Sequence, residues 1–292
     1  MSKQFTGTGI AIITPFDEAG NIDWKSFEKL VEYWIKGKVE YLVVLGTTGE
    51  SATIHGKEKQ EVFSFIQKQV DGRIPIVAGI GGNDTKEVIA AFKTFDLKGY
   101  DAILSVSPYY NKPNQEGLYQ HYKALNASTP LPIIMYNVPG RTGMSVSADT
   151  QLRIAHGCKN IFATKEASGN FDLINHILKN KPSDFMVISG DDPITLQMIA
   201  QGASGVISVV ANAYPEFSEM VRLALHGDFK GASVIHNKYL DIIASMFAEG
   251  SPSGVKAYLA EMGLCKNTFR LPVWKVSEKH QQHIWHLMKS MA

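Results

Sequence analysis

The chain has 292 residues, of which 45% are hydrophobic and 20% charged, and its formal net charge is +1. This ordinary globular composition allows a large core, and the near-zero charge gives no reason to expect a nucleic acid or a membrane surface as partner. No apolar run approaches the roughly 18 residues of a membrane span, and no signal-peptide core follows the first residues. With two cysteines far apart in sequence, Cys158 and Cys265, we expect a soluble protein of the reducing cytoplasm.

Short apolar runs alternate along the chain with longer amphipathic stretches. The runs predict eight strands, at 9–14, 41–45, 74–79, 102–106, 133–136, 161–166, 185–189 and 205–209. Their near-continuous apolar character is typical of parallel strands that are buried on both faces. The stretches between them predict helices such as 24–36, 57–70, 85–98 and 148–156. Asp23 and Asp84 stand where helix N-caps are expected.

Eight strand–helix alternations predict an α/β fold, a closed (β/α)₈ (TIM) barrel, with a doubly wound open sheet as the alternative. After about Gly227 the strand pattern stops, and 228–248, 253–263 and 277–291 predict helices. We therefore expect a barrel over residues 1–226 that carries the active site, and a C-terminal helical extension over residues 227–292. Active sites of such barrels lie at the carboxyl ends of the strands.

Two of these strand ends carry the strongest chemical signals. The sequence GTTGES at 46–51 predicts a tight turn whose backbone N–H groups can bind a carboxylate, although a plain glycine turn has the same pattern. Lys165 lies within a strand of buried type, where a lysine is costly unless it has a task. Desolvation lowers the pKa of such an amine and makes it a nucleophile. A lysine that reaches solvent or pairs with Glu166 is the alternative.

Other strand ends add further candidates. Tyr136 ends the fifth strand, where a phenol can transfer protons, and Arg141 on the following loop offers a planar fork for a carboxylate. The adjacent Tyr109 and Tyr110, set between prolines, predict a stiff loop tip that contacts a ligand or another subunit. Asp191 and Asp192 are more typical of helix N-caps than of a metal site.

The final predicted helix carries three histidines, at 280, 283 and 286. Without an HExxH motif or a carboxylate cluster, this spacing favours a solvated helix face over a metal site.

Joined together, these motifs resemble dihydrodipicolinate synthases. The resemblance rests on GTTGES at 46–51, SPYYNKP at 107–113, YNVPGRTG at 136–143, TKEASGN at 164–170, SGDD at 189–192, VISV at 206–209 and the opening TPF at 14–16. It extends from about Thr6 to Arg270. It implies a lyase that condenses pyruvate with L-aspartate 4-semialdehyde in lysine and diaminopimelate synthesis.

The resemblance also implies a role for each site residue. Lys165 matches the lysine that forms the pyruvate imine, Tyr136 and Thr47 match a proton relay, and Tyr110 matches a tyrosine contributed by a neighbouring subunit. The substrate-binding positions are Thr47 and Thr48 for the pyruvate carboxylate, Arg141 for the semialdehyde carboxylate, and Gly190 and Ile207 for the pocket wall. The implied assembly is a homotetramer, a dimer of dimers. The imine serves as the electron sink, so neither a metal nor an organic cofactor is expected.

Two alternatives remain at the level of sequence. A sister pyruvate aldolase, such as N-acetylneuraminate lyase or a keto-deoxy sugar-acid aldolase, would share the barrel, the lysine and the tyrosine. A non-catalytic binding relative is disfavoured, because every catalytic motif residue is intact.

A cleft that binds inhibitory L-lysine in some family members is matched in part. The matching residues are Ser51, Ala52, Asn83, Glu87 and Tyr109. Gly56 and Lys59 stand where sensitive members carry histidines. Away from this cleft, Gly254 stands between the last helices where the family usually has proline. Because Lys59 would bring a like charge beside the ligand, we expect weak or absent inhibition by L-lysine.

Overall fold

A computed structural model describes residues 2–291 as eight parallel strands closed into a barrel in chain order, β1 to β8. The strands are β1 Gly7–Ala11, β2 Tyr41–Val44, β3 Ile76–Gly79, β4 Ala102–Val106, β5 Ile133–Asn137, β6 Ile161–Glu166, β7 Met186–Ser189 and β8 Gly205–Ser208. The predicted (β/α)₈ barrel is confirmed, and the open sheet is excluded because β8 pairs with β1.

Helices surround the barrel and follow it at the C-terminal end. They are α1 Trp24–Lys36, α2 Gly56–Val70, α3 Thr85–Thr94, α4 Gln115–Ser128, α5 Pro139–Thr142, α6 Ala148–Gly157, α7 Phe171–Asn180, α8 Thr195–Ala200, α9 Phe217–Leu225, α10 Phe229–Ala248, α11 Ser253–Glu261 and α12 Glu278–Met291. Asp23 and Asp84 accept backbone N–H groups at the starts of α1 and α3, so both predicted N-caps are confirmed. No helix within residues 2–291 combines the length and apolar character needed to cross a membrane.

The barrel closes where two glycines meet. Gly7 pairs with Gly205, and a Cβ on Gly205 would lie 1.9 Å from the carbonyl oxygen of Gly7. Both residues have positive φ angles, +108° and +140°, which glycine adopts readily. The first strand therefore begins at Gly7, two residues before the predicted start, because close backbone contact rather than apolar character determines its beginning.

Other predicted boundaries are also wrong. Strand β1 ends at Ala11 and not at residue 14, and helix α11 ends at Glu261 and not at residue 263. The third strand begins at Ile76 and not at residue 74, since Pro75 has no N–H to donate to a neighbouring strand. Helix α3 ends at Thr94 and not at residue 98. Phe95 is extended there and packs edge-on against Phe63 at 5.5 Å, and the backbone N–H of Asp96 donates to the Gln60 side chain of α2.

The apolar core has two main layers. Inward-facing side chains fill the barrel, from Phe5 and Tyr41 at the amino ends of the strands to Tyr136 and Val138 at the carboxyl ends. The larger layer lies between the strands and the surrounding helices, and it includes residues of α10 and α11. Because the C-terminal helices share this layer, they can support residues at the carboxyl ends of the strands.

Candidate active site

A cavity of about 350 Å³ lies at the carboxyl ends of the strands. Its wall contains Ala11, Gly46, Thr47, Thr48, Leu104, Tyr136, Val138, Gly140, Arg141, Lys165, Ala167, Gly190, Asp191, Val209, Phe247 and Ser251. Six of the eight predicted site residues therefore meet around one cavity. The two exceptions are Tyr110 and Ile207.

Lys165 is the buried cation of this cavity, with 4% of its surface exposed. It is paired with Tyr136 across β5 and β6, and its Nζ lies 4.3 Å from the centre of the Tyr136 ring. Burial lowers the pKa of Lys165 to about 8, partly opposed by the negative charge of Asp192. A substantial fraction of the amine is therefore neutral near physiological pH and can act as a nucleophile.

Gly190 gives Lys165 the room it needs. A Cβ at this position would lie 2.9 Å from Cε of Lys165 and 2.8 Å from Cβ of Ala167. Any larger residue would press the lysine stem out of its present position.

Tyr136 is the buried phenol beside the lysine. Burial raises its pKa to about 12, while the charge of Arg141 and the Thr47 side chain act in the opposite direction. The phenol is therefore protonated at neutral pH, and it enters a reaction as a proton donor. Thr47 is exposed at the cavity, whereas Thr48 beside it is buried.

Arg141 lies on the one-turn helix α5, within the connection after the fifth strand that we predicted as a loop. Pro139 at its first position favours a helical start, and Gly143 ends it in the left-handed region. The guanidinium is exposed, and its Nη2 donates to the carbonyl oxygen of Ser251 at 3.3 Å. The fork therefore stands at the mouth of the cavity, where it can receive a carboxylate.

Behind Lys165 and Tyr136 lies a buried polar network centred on Glu166. Its carboxylate accepts from the side-chain amides of Asn137 and Gln151 and from the backbone N–H of Ser168, at 2.8–3.1 Å. Asn137 in turn accepts from the backbone N–H of Val146 at 3.0 Å. The network joins the ends of β5 and β6 to the chain that follows Arg141.

The acidic pair after β7 does not cap the helix that follows it. Asp191 occupies the N-cap position of a 3₁₀ turn without a side-chain cap hydrogen bond. The buried Asp192 instead accepts from the backbone N–H groups of Val209 and Val210 after β8, at 2.9 and 3.1 Å. The predicted helix N-cap is thus wrong, because these donors after the neighbouring strand bind the carboxylate. Within residues 2–291 no cluster of three or more His, Cys, Asp or Glu residues is arranged to hold a metal ion.

Tyr110 and Ile207 lie away from the cavity wall. Tyr110 is 89% exposed at the tip of its loop, with a φ angle of +71°. Ile207 pairs with Gly9 and is buried in the barrel interior. Its level in the barrel is one inward-facing position below that of Ala11, which lines the cavity. Val209, two residues beyond it, lines the cavity instead.

The sequence did not point to Phe247 near the end of α10 or to Ser251 between α10 and α11, both of which line the cavity. No local pattern marks them, because they reach the site only through the packing of α10 on the barrel.

A second cavity of about 380 Å³ adjoins the first and shares Gly46, Thr47, Leu104 and Tyr136 with it. Four of the residues matched to the inhibitor cleft line it, namely Ser51, Asn83, Glu87 and Tyr109, and so does Lys59. Burial lowers the pKa of Lys59.

Known proteins resemble this chain over nearly its whole length. A family model described as the dihydrodipicolinate synthetase family matches residues 4–291. The chain is 52% identical over 268 residues to the 4-hydroxy-tetrahydrodipicolinate synthase of Parabacteroides distasonis, covering 91% of this chain and 90% of the relative. It is similar to the crystal structure of the dihydrodipicolinate synthase of Aquifex aeolicus, with a TM-score of 0.95, 40% identity and 98% of each chain covered. The enzyme of Cyanidioschyzon merolae with lysine bound matches with a TM-score of 0.95 and 34% identity, over 99% of this chain and 98% of that one.

Proposed function

We propose that Lys165 forms an imine with pyruvate. The chain belongs to the dihydrodipicolinate synthetase family and is a lyase with 4-hydroxy-tetrahydrodipicolinate synthase activity. The observation that carries this mechanism is a buried lysine that faces a cavity and whose pKa is lowered to about 8. The substrates are proposed to be pyruvate and L-aspartate 4-semialdehyde, as the resemblance implies.

The first stage forms the imine. The neutral amine of Lys165 attacks the keto carbon of pyruvate, and the carbinolamine hydroxyl leaves as water after it takes a proton. Tyr136 is suited to donate this proton, because its raised pKa keeps the phenol protonated until then. The hydroxyls of Thr47 and Thr48 and the N–H groups of their turn would hold the pyruvate carboxylate.

The second stage forms the carbon–carbon bond. The protonated imine draws electrons from the methyl group, whose proton passes to the Tyr136 phenolate and leaves an enamine. The enamine carbon attacks the aldehyde carbon of the semialdehyde, and the aldehyde oxygen takes up a proton. Arg141 at the cavity mouth would bind the semialdehyde carboxylate. The amino group of the semialdehyde then displaces Lys165 at the imine carbon, which closes the ring and frees the lysine.

We further propose that a homotetramer in the cytoplasm is the working form. Tyr110 is exposed at its loop tip and does not line the cavity of its own chain, which supports a role in the site of a second copy of the chain. Exposed aromatic residues of this kind are frequent in subunit contacts.

The test combines turnover with trapping. We expect product from pyruvate and L-aspartate 4-semialdehyde, and none from N-acetylneuraminate or keto-deoxy sugar acids. Borohydride reduction with pyruvate should add a mass to the peptide that contains Lys165, and the Lys165→Ala variant should show no adduct. An adduct on another lysine, or turnover of the sugar acids alone, would refute the proposal.

A further inference from the structure

We propose that the buried ion pair between Glu50 and Lys256 is a positioning pair, through which the C-terminal helices hold the threonine turn in the shape that binds pyruvate. The inference rests on the proposed function, because it takes Thr47 and Thr48 as the pyruvate-binding residues.

The pair is fully enclosed. The side chains of Lys256 and Glu50 are 0% and 1% exposed, and Nζ lies 2.5 Å from Oε1. Nζ also donates to the carbonyl oxygen of Thr268 at 3.0 Å and lies over the rings of Phe16 and Phe269, 4.3 and 4.9 Å from their centres. Removing either partner would leave the other as an uncompensated buried charge.

Glu50 is the last residue of the turn that carries the two threonines. Its backbone N–H donates to the carbonyl oxygen of Thr47 at 3.1 Å, and its φ angle of 53° lies in the left-handed region. A residue with a Cβ rarely adopts this conformation without support from its surroundings. The anchored carboxylate of Glu50 supplies that support.

The opposite side of the turn is held separately. Thr14 donates its hydroxyl to the carbonyl oxygen of Gly49 at 2.8 Å. A Cβ on Gly49 would lie 3.1 Å from the carbonyl oxygen of Ile12, so the turn packs closely on the chain after β1. Loss of the Lys256 contact would therefore leave the Glu50 side of the turn more weakly held, so that the turn can shift at the threonines.

Arg270 strengthens the connection from the C-terminal side. Its backbone N–H donates to Oε2 of Glu50 at 3.4 Å, and its guanidinium forms two hydrogen bonds of 2.6 Å with Glu58 of α2. Both the helix α11 and the segment after it thus bind the chain that follows β2. This arrangement gives the C-terminal helices a direct part in shaping the pyruvate site.

The experiment compares single and double substitutions with a matched surface control. Lys256→Met and Glu50→Gln remove one charge each, and the double variant Glu50→Leu/Lys256→Met removes both and leaves no stranded charge. Lys266→Met is the control, because Lys266 pairs with Glu18 on the surface, where its side chain is 50% exposed. The measurements are Tm, the KM for each substrate, and the rate of borohydride trapping at a series of pyruvate concentrations.

We expect the double variant to unfold near the wild-type Tm and yet to show a pyruvate KM raised about 10- to 100-fold, since a displacement of about 1 Å can cost this much. The semialdehyde KM should change by less than about threefold, and Lys266→Met should match the wild type. A double variant with wild-type Tm and wild-type pyruvate KM would show that the pair does not shape the pyruvate site, and would overturn the inference. Folded single variants with a normal pyruvate KM would overturn it equally. If the wild type itself gives no trapped adduct, the proposed function fails instead.

Discussion

The lowered pKa of Lys165 predicts how imine formation depends on pH. With a pKa of about 8, about 9% of the amine is neutral at pH 7, against about 0.03% for a lysine at the ordinary value of 10.5. The buried site therefore supplies about 300 times more nucleophile at neutral pH. Below pH 8 the trapping rate with pyruvate should rise nearly tenfold per pH unit, and it should level off above pH 8.

The assay measures the initial rate of borohydride trapping by mass spectrometry between pH 6 and pH 10, at a fixed low pyruvate concentration. Asp192→Asn should move the plateau to lower pH, because the charge of Asp192 raises the pKa of Lys165. An asparagine oxygen can still accept the N–H groups of Val209 and Val210, so the fold around β8 should persist. Asp184→Asn is the control, because Asp184 is exposed and lies before β7, at the opposite end of the strand from Asp192.

Two results would refute this reasoning. A trapping rate that keeps rising to pH 10 would mean that burial does not lower the pKa of Lys165. A plateau that stays in place, or moves to higher pH, in Asp192→Asn would mean that the carboxylate does not interact with the amine as an ionised group.

The remaining predictions concern the second substrate, the partner subunit and inhibition. Arg141→Ala should raise the semialdehyde KM about tenfold. This is the lower end of the range for loss of a charged hydrogen bond, because the guanidinium is exposed. Trapping with pyruvate should persist, and an unchanged semialdehyde KM would contradict a role of Arg141 in binding that substrate. Tyr110→Phe and Lys165→Ala should each be nearly inactive, whereas their verified mixed dimers should recover activity; no recovery would argue against a tyrosine that acts in a second subunit. L-Lysine should inhibit weakly, because Lys59 lines the cleft together with Glu87 and brings a positive charge close to the ammonium group of the ligand. Half-inhibition below about 1 mM, which corresponds to about 4 kcal/mol of affinity, would show that this charge is neutralised.

The barrel could be predicted from sequence because its strands are buried on both faces. Strand β2, for example, is a short apolar run that is buried at every position. The missed details have tertiary causes. The start of β1 depends on the contact between Gly7 and Gly205, and the end of α3 depends on Phe63 and Gln60 of α2. Neither partner lies within the local window that periodicity describes.

The candidate site likewise contains residues that could be identified from sequence and residues that could not. Residues at strand ends, such as Lys165 and Tyr136, could be identified because the barrel brings all carboxyl ends of its strands together. Phe247 and Ser251 come from outside the strands, so no rule about strand ends could include them. The position of Asp192 depends on donors that follow a neighbouring strand, although its spacing predicted a local cap.

Two buried lysines show what the sequence signal for a reactive amine does and does not contain. Lys256 is surrounded in sequence by Val255, Ala257 and Tyr258, all buried, so it is as much a lone lysine in an apolar segment as Lys165 is. Burial lowers the pKa of both amines. Lys256, however, is paired with Glu50 and its side chain is 0% exposed, so its amine is not accessible to a substrate. Among the residues described, Lys165 forms no ion pair and borders open space. Burial alone therefore does not identify a nucleophile; the amine must also lack a carboxylate partner and face a substrate-sized cavity, and both conditions depend on residues far away in sequence.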